Sequence, residues 1–306
     1  MKNWSLTRKK GILWRRAKII QSIRGFFTSR GYLEVETPHR IPAPAPESHI
    51  DPFSSEGWFL HPSPELCMKR MLSAGYEKIF QICHCWRKGE RGSQHTPEFT
   101  LLEWYRVGRD YFDLMVECEE LIQTLAGELG LGDSLQYQGH QILLESPWER
   151  ITVEEAFIRY ARISAKEALR KDRFDEVMVR EIEPRLGIER PTFLYDYPSE
   201  RRSLARLKKE KPSVAERFEL YLGGLEMANG FSELTDPEEQ RRVFQSEILI
   251  RQSLGKPVYP IPEKFLDELE EMPPSAGIAL GVDRLVMVLL NERRIDEVIA
   301  FTPEDL

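Results

Sequence analysis

Lys78-Ile-Phe-Gln-Ile-Cys-His-Cys-Trp86 and Glu98-Phe-Thr-Leu-Leu-Glu-Trp-Tyr105 are two runs rich in aromatic and β-branched residues, separated by a polar stretch that opens on Arg87 and carries His95-Thr96-Pro97. That composition predicts two strands joined as a long hairpin. Arg87 stands at its mouth, and an arginine, a charged loop and an acidic-aromatic strand in one short stretch suit a bound nucleotide.

Working outward, Ile12, Leu13, Ile19, Ile20, Ile23, Phe26 and Phe27 recur at near-helical spacing and predict a helix from about Thr7 to Ser29, stopped by Gly31. Tyr32 to Pro38 reads as a short strand ending at proline, and Ile41 to Pro46 as a stiff connector. Ser63-Pro64-Glu65 opens a helix through about Ala74, with Ser63 as its N-cap. Between Asp110 and about Arg190 helical periodicity dominates, broken by a strand near Leu135 to Leu144. This stretch is expected to be an insertion or a flanking helical layer. Strands resume at Thr192–Asp196, Ala215–Leu222 and Leu225–Phe231. A helix occupies about Pro237 to Ser253, and Ala276–Gly281 is a buried strand feeding a helix from Val282.

With 306 residues, 41% hydrophobic and 30% charged, the chain can bury a substantial core in one large domain. No apolar run approaches the roughly 20 residues that span a bilayer, and the N-terminus lacks the apolar core of a signal peptide. The expectation is a cytoplasmic protein. A formal charge of −7 argues against a broad nucleic-acid surface, and the basic runs around Arg8–Lys18 and Arg201–Lys211 read as solvated helix faces. Four cysteines, Cys67, Cys83, Cys85 and Cys118, do not make a disulfide framework. Cys83-His84-Cys85 lacks the spacing of a structural zinc site, so its cysteines are expected to be core strand residues.

Three separated segments together resemble the signature motifs of class II aminoacyl-tRNA synthetases: Gly31-Tyr-Leu-Glu-Val-Glu-Thr-Pro38, Arg87 through Phe99, and Gly277-Ile-Ala-Leu-Gly-Val-Asp-Arg284. Ser63-Pro64-Glu65, His95 to Tyr105 and Asn229-Gly-Phe-Ser-Glu-Leu-Thr-Asp236 narrow the likeness to lysyl-tRNA synthetases. In those enzymes an anticodon-binding barrel precedes the catalytic domain, whereas here the first motif begins at residue 31. The chain therefore resembles the elongation factor P-(R)-β-lysine ligase family, synthetase paralogues that modify a protein lysine.

The resemblance implies an α+β fold, a single catalytic domain built on an antiparallel sheet flanked by helices, and a homodimer formed through the first motif. It implies ATP and Mg²⁺ as cofactors, lysine or (R)-β-lysine as substrate, and elongation factor P as acceptor, with tRNA an unlikely partner. Arg87 and Arg284 are the implied catalytic cations. Lys88, Gly89, Glu90, His95, Thr96, Phe99, Met227 and Gly281 would line the ATP site, with Phe99 and Arg284 on the two faces of adenine. Glu226 and Glu233 would help hold Mg²⁺. Ser63, Pro64, Glu65, Glu103, Tyr105, Asn229, Glu233 and Ala279 would contact the amino acid, Glu103 and Glu233 with the Tyr105 hydroxyl gripping its distal amine. Taken singly these residues read more simply: Glu65 as a helix-start acid, Phe99 and Tyr105 as core aromatics, Glu103 as a cross-strand acid. Their joint order in the chain reverses that reading.

Three positions depart from the pattern, the first being Thr96, where relatives often have asparagine. The acid usually found two residues after the motif arginine is replaced by Gly89, with Glu90 next to it as a substitute. Ala279 stands where lysyl-tRNA synthetases tend to carry glycine, and one methyl in a packed pocket shifts selectivity by about 1 to 3 kcal/mol. Transfer to tRNA or another small acceptor, and a non-catalytic synthetase-like subunit, are the competing readings.

Overall fold

The computed structural model describes residues 4–306; Met1-Lys2-Asn3, the start of the segment read as lacking a signal peptide, lie outside the described residues. In chain order the elements are α1 (Trp4–Ser29), β1 (Leu33–Glu34), β2 (Arg40–Ile41), β3 (Ser54–Ser55), β4 (Trp58–Leu60), α2 (Glu65–Ser73), β5 (Lys78–Trp86), β6 (Glu98–Val107) and α3 (Tyr111–Glu128). There follow β7 (Ser134–Tyr137), β8 (His140–Leu143), β9 (Glu149–Thr152), the short helices α4 (Val153–Ala156), α5 (Ala165–Arg170) and α6 (Phe174–Val177), and β10 (Thr192–Pro198). The chain then runs through β11 (Val214–Leu222), β12 (Leu225–Ser232), α7 (Pro237–Ser253), α8 (Glu263–Leu269), β13 (Ser275–Gly281) and α9 (Val282–Leu289).

The opening hairpin forms where its composition places it, with Cys85 opposite Phe99 and Gln81 opposite Glu103. It is the base of an eight-stranded sheet in the order β1-β5-β6-β13-β12-β11-β10-β9. The sheet is antiparallel through its centre and parallel at its two margins, where β1 pairs with β5 and β9 with β10. The expected antiparallel sheet is thus its centre, and parallel strands join at the edges, where the connecting segments return through helices and not through tight turns.

Side-chain alternation splits the sheet into two faces. Leu102 and Trp104 of β6 and Ala276, Ile278 and Leu280 of β13 join one core with Ile19, Ile23 and Phe27 of α1, Leu114 and Leu121 of α3 and Val286 of α9. The intervening residues point the other way, and there α2, α7 and α8 cover only part of the sheet, around Tyr105, Phe244 and Phe265. The uncovered centre of that second face is the site.

Local signals account for most element ends. Gly31, with φ of 76°, takes the left-handed conformation that ends α1, and the Asp110 carboxylate accepts from the Phe112 and Asp113 amides to start α3. Three expectations need correcting. The strand read over 32–38 shortens to β1. The strand read near 135–144 is a hairpin, turned at Gln138 and Gly139, both with positive φ. The 110–190 stretch is not wholly an insertion, since β9 joins the main sheet; only α4 to α6, with π-helical turns at Phe157–Ala161 and Met178–Ile182, form a separate packed layer. Among the described residues no helix is long and apolar enough to cross a membrane.

Candidate active site

Rows of residues running across the open sheet face build the site. One row passes from Gln81 through Glu103, Ala279 and Asn229 to Glu219, and the next from Ile79 through Tyr105, Gly277 and Phe231 to Arg217. These rows floor a cleft of about 750 Å³ walled by the 44–50 segment, the start of α2, the β5–β6 loop and α7.

At one end the cleft is acidic. The buried Glu103 carboxylate accepts from the Ser63 hydroxyl at 2.6 Å and from the Tyr105 hydroxyl at 2.9 Å. Ser63 also accepts from the Glu65 amide at 3.0 Å, but α2 starts one residue later than expected and Pro64 occupies its cap position. The Ser63 hydroxyl thus ties the helix start to the β6 acid. Lys69, one turn along α2 and fully buried, lies 2.5 Å from Glu65 and in contact with Glu233. Burial pushes Glu103 and Glu233 each up to about 8, Glu65 adding to the effect in both, while Ser63 opposes it at Glu103 and Lys69 at Glu233. Lys69 pairs with two of the three acids, and Glu103 and Glu233 take up protons near neutrality.

The other end is cationic. The Arg87 guanidinium lies 5.0 Å from the Phe99 ring centroid, donates to the Pro62 carbonyl at 3.4 Å and stands 4.0 Å from Glu90. Arg284 donates to the Glu226 carbonyl at 2.8 Å and to the Gln94 carbonyl at 3.3 Å, and touches the His95 ring. Burial and the Arg284 charge lower the His95 pKa, favouring the neutral form of the ring. Enclosure in the cleft and the nearby Glu219 raise Glu226 to about 7 against the pull of Arg284. Behind this end Asp283 accepts from the Thr100 amide at 2.7 Å and pairs with Arg16 at 2.5 Å, locking α1, β6 and α9 together.

Ser63, Glu65, Arg87, Glu90, His95, Thr96, Phe99, Glu103, Tyr105, Glu226, Met227, Asn229, Ala279, Gly281 and Arg284 all line the cleft. Four sequence candidates do not. Pro64 is spent on starting α2, and Lys88 is exposed on the outer side of the loop. Gly89 adopts φ of 84°, a left-handed turn that favours glycine over an acid, and Glu90 next to it lines the cleft. Glu233 stands behind the wall and reaches it through Lys69. Around Gly281 an added Cβ would meet only ordinary contacts near 3.9 Å, so no protein atom demands a glycine there.

Sequence reasoning missed Lys69, Arg217 and Glu219. Arg217 lies 2.6 Å from Glu219, donates to the Asn229 side chain at 3.3 Å and stacks on Tyr197 with 4.4 Å to the ring centroid. A signal existed: Arg217 and Glu219 alternate with Phe218 and Leu220, so one face of β11 is charged where the other is core.

A sheet of this order with such a cleft on its open face defines a class of protein, and the family comparison agrees: the model described as tRNA synthetases class II (D, K and N) matches residues 4–305. Curated relatives narrow it. The chain is 40% identical to the elongation factor P–(R)-β-lysine ligase of Proteus mirabilis, over 98% of this chain and 97% of the relative. It is 39% identical to the Edwardsiella ictaluri protein of that name, over 99% and 98%, and 41% identical to that of Klebsiella pneumoniae, over 95% and 94%. The chain belongs to the class II synthetase family and, within it, to the elongation factor P–(R)-β-lysine ligases.

Proposed function

We propose that the protein activates (R)-β-lysine, or lysine, with ATP and transfers it to a lysine ε-amine of elongation factor P. The observation that carries this reading is the pairing, in one cleft, of a buried acidic end at Glu65 and Glu103 with a cationic end at Arg87 and Arg284. A substrate with an ammonium group fits the first and a polyphosphate the second. In the first step an oxygen of the amino-acid carboxylate attacks the α-phosphorus of ATP, and the bond to pyrophosphate breaks. Arg87 offsets the charge that builds on the phosphate while Phe99 and Arg284 hold adenine. In the second step the acceptor amine attacks the acyl carbon, AMP leaves, and the amine loses a proton as the amide forms.

Glu103, held by Ser63 and Tyr105, takes the distal ammonium; Glu65 takes the amino group nearer the carboxylate, and Asn229 orients the carboxylate. Glu233 sets the charge of this end through Lys69. Glu226 opens to the cleft with Glu219 beside it, and this carboxylate pair fits Mg²⁺, which when bound neutralises phosphate charge. We place the protein in the cytoplasm, where ATP is available, and assign the homodimer contact to the face of α1 and β1, where Trp14 and Leu33 are exposed.

Incubation with ATP, Mg²⁺, elongation factor P and each lysine isomer should add one lysyl group to the factor, read by intact mass. Adenylate formation with an unmodified factor, or acylation of tRNA in its place, rejects the acceptor. Absence of pyrophosphate exchange with every lysine isomer rejects the activity. In the same assay Arg87→Ala should lower adenylate formation by about 10²- to 10³-fold, the usual cost of removing one preorganised charge donor.

The raised acids give a pH dependence. Glu103 and Glu233 have folded values near 8 against an ordinary 4.5. The folded empty protein therefore binds more protons than the unfolded chain between these limits, and the contribution of these groups to stability falls as pH rises from about 4.5 through 8. A bound ammonium replaces those protons. Lysine affinity should thus increase between pH 6 and 8.5, with proton release detectable by calorimetry in buffers of different ionisation enthalpy; affinity that is flat across this range contradicts the assignment.

A further inference from the structure

His61, Cys83 and Cys85 come together from two segments on the side of the hairpin that faces the cleft. Their donor atoms all lie within 4.8 Å of one another, and all three residues are buried. The Cys83 and Cys85 sulfurs are 3.9 Å apart, and the Cys85 sulfur is 4.0 Å from His61 Nε2. Two thiolates on one tetrahedral zinc, with Zn–S of about 2.3 Å, sit about 3.8 Å apart. The spacing in the structure is therefore already that of a shared ion.

His61 is 1% exposed, and its Nε2, the ring nitrogen 4.0 Å from the Cys85 sulfur, donates to the His84 carbonyl at 2.8 Å. A cation held by the two thiolates would take the Nε2 lone pair in place of that hydrogen bond, with the ring proton moving to Nδ1.

We propose that His61, Cys83 and Cys85 form a site for a soft divalent cation, Zn²⁺ by the chemistry of its donors. Two thiolates and an imidazole select zinc over the hard, oxygen-loving magnesium of the nucleotide end. The spacing Cys83-His84-Cys85 gave no such reading because the third donor arrives from the segment between β4 and α2, twenty-two residues upstream. The ion would act as a brace. His61 precedes Pro62 and Ser63, whose carbonyl and hydroxyl contact Arg87 and Glu103. Cys83 and Cys85 pack against Leu101, Phe99 and Ala279. One ion would pin the Ser63 turn to the strand beneath the cleft and so position residues at both of its ends. This inference is independent of which amino acid or acceptor the enzyme uses.

The test is metal analysis and Co²⁺ substitution on the full-length protein, purified reduced and without chelator. One zinc per chain is expected, and Co²⁺ should give the thiolate charge-transfer and intense ligand-field bands of a tetrahedral sulfur-containing site. Cys83→Ala, Cys85→Ala and His61→Ala should each weaken Co²⁺ binding more than about tenfold, whereas Cys118→Ala, a buried thiol in the other core, should not. If the variants fail to fold, the wild-type protein still decides: titrating its thiols with an organomercurial should release one zinc as two cysteines react. Metal-free protein that shows no cobalt charge-transfer band, a band that survives loss of both cysteines, or a Cys83–Cys85 disulfide in its place each overturn the proposal.

Discussion

Gly277→Ala is expected to abolish amino-acid activation. In the register of the sheet Gly277 lies directly opposite Tyr105, and a Cβ built on it would come within 2.4 Å of two Tyr105 ring carbons and 2.5 Å of a Glu233 carboxylate oxygen. Both neighbours are buried and held, so making room displaces a positioned side chain. Tyr105 is 3% exposed and donates its hydroxyl to Glu103; Glu233 is 1% exposed and held by Lys69. The ring must swing toward the pocket, carrying the Glu103 hydrogen bond with it. A displacement of about 1 Å at a positioned group costs about a hundredfold in rate, so lysine-dependent pyrophosphate exchange should fall at least that far. Overpacking should also cost about 1 to 3 kcal/mol of stability. A folded Gly277→Ala variant with near-normal exchange would remove Tyr105 from the site.

Lys69→Met should be the most destabilising single change in the acidic end. The lysine side chain is fully buried between Glu65 and Glu233. Burial works against its charge, yet the two acids outweigh it and raise its pKa above the ordinary value. Methionine keeps the volume and removes the cation, which leaves buried carboxylates without their partner; breaking a buried pair in this way costs about 3 to 5 kcal/mol. The midpoint of urea unfolding should drop accordingly at pH 8 and by less at pH 6, where Glu233, raised to about 8 by its burial, is protonated. Adding Glu233→Gln should recover part of the loss. Equal losses at both pH values, or no recovery in the double variant, would show that Lys69 matters for packing alone.

The strands of the site were legible because they are built from short-range preferences. β5 and β6 follow from β-branched and aromatic composition, and α7 from an Asp236-Pro237 start with a helical run behind it. Most of the cleft lining was legible too, because the motif residues recur at every second position of β6, β12 and β13 and alternation sends them to one face. The edges were less so. β1 and β9 are parallel margins of two to four residues, too short for any periodicity to show. Gly89 illustrates a partial reading: the lack of an acid there was visible, but the left-handed turn that favours glycine was not.

The sequence by itself determined the central strands of the sheet, which of their faces is polar, and the family to which their motifs belong, since these depend on residues near one another along the chain. Only the tertiary structure decided what those faces meet. It set Lys69 between Glu65 and Glu233, moved Glu233 behind the wall, stacked Arg217 on Tyr197 beside Asn229, and carried His61 to the two cysteines of β5. Each of these depends on the register of strands and the docking of α2 on the sheet, where contacts between residues distant in sequence are chosen by packing and charge together.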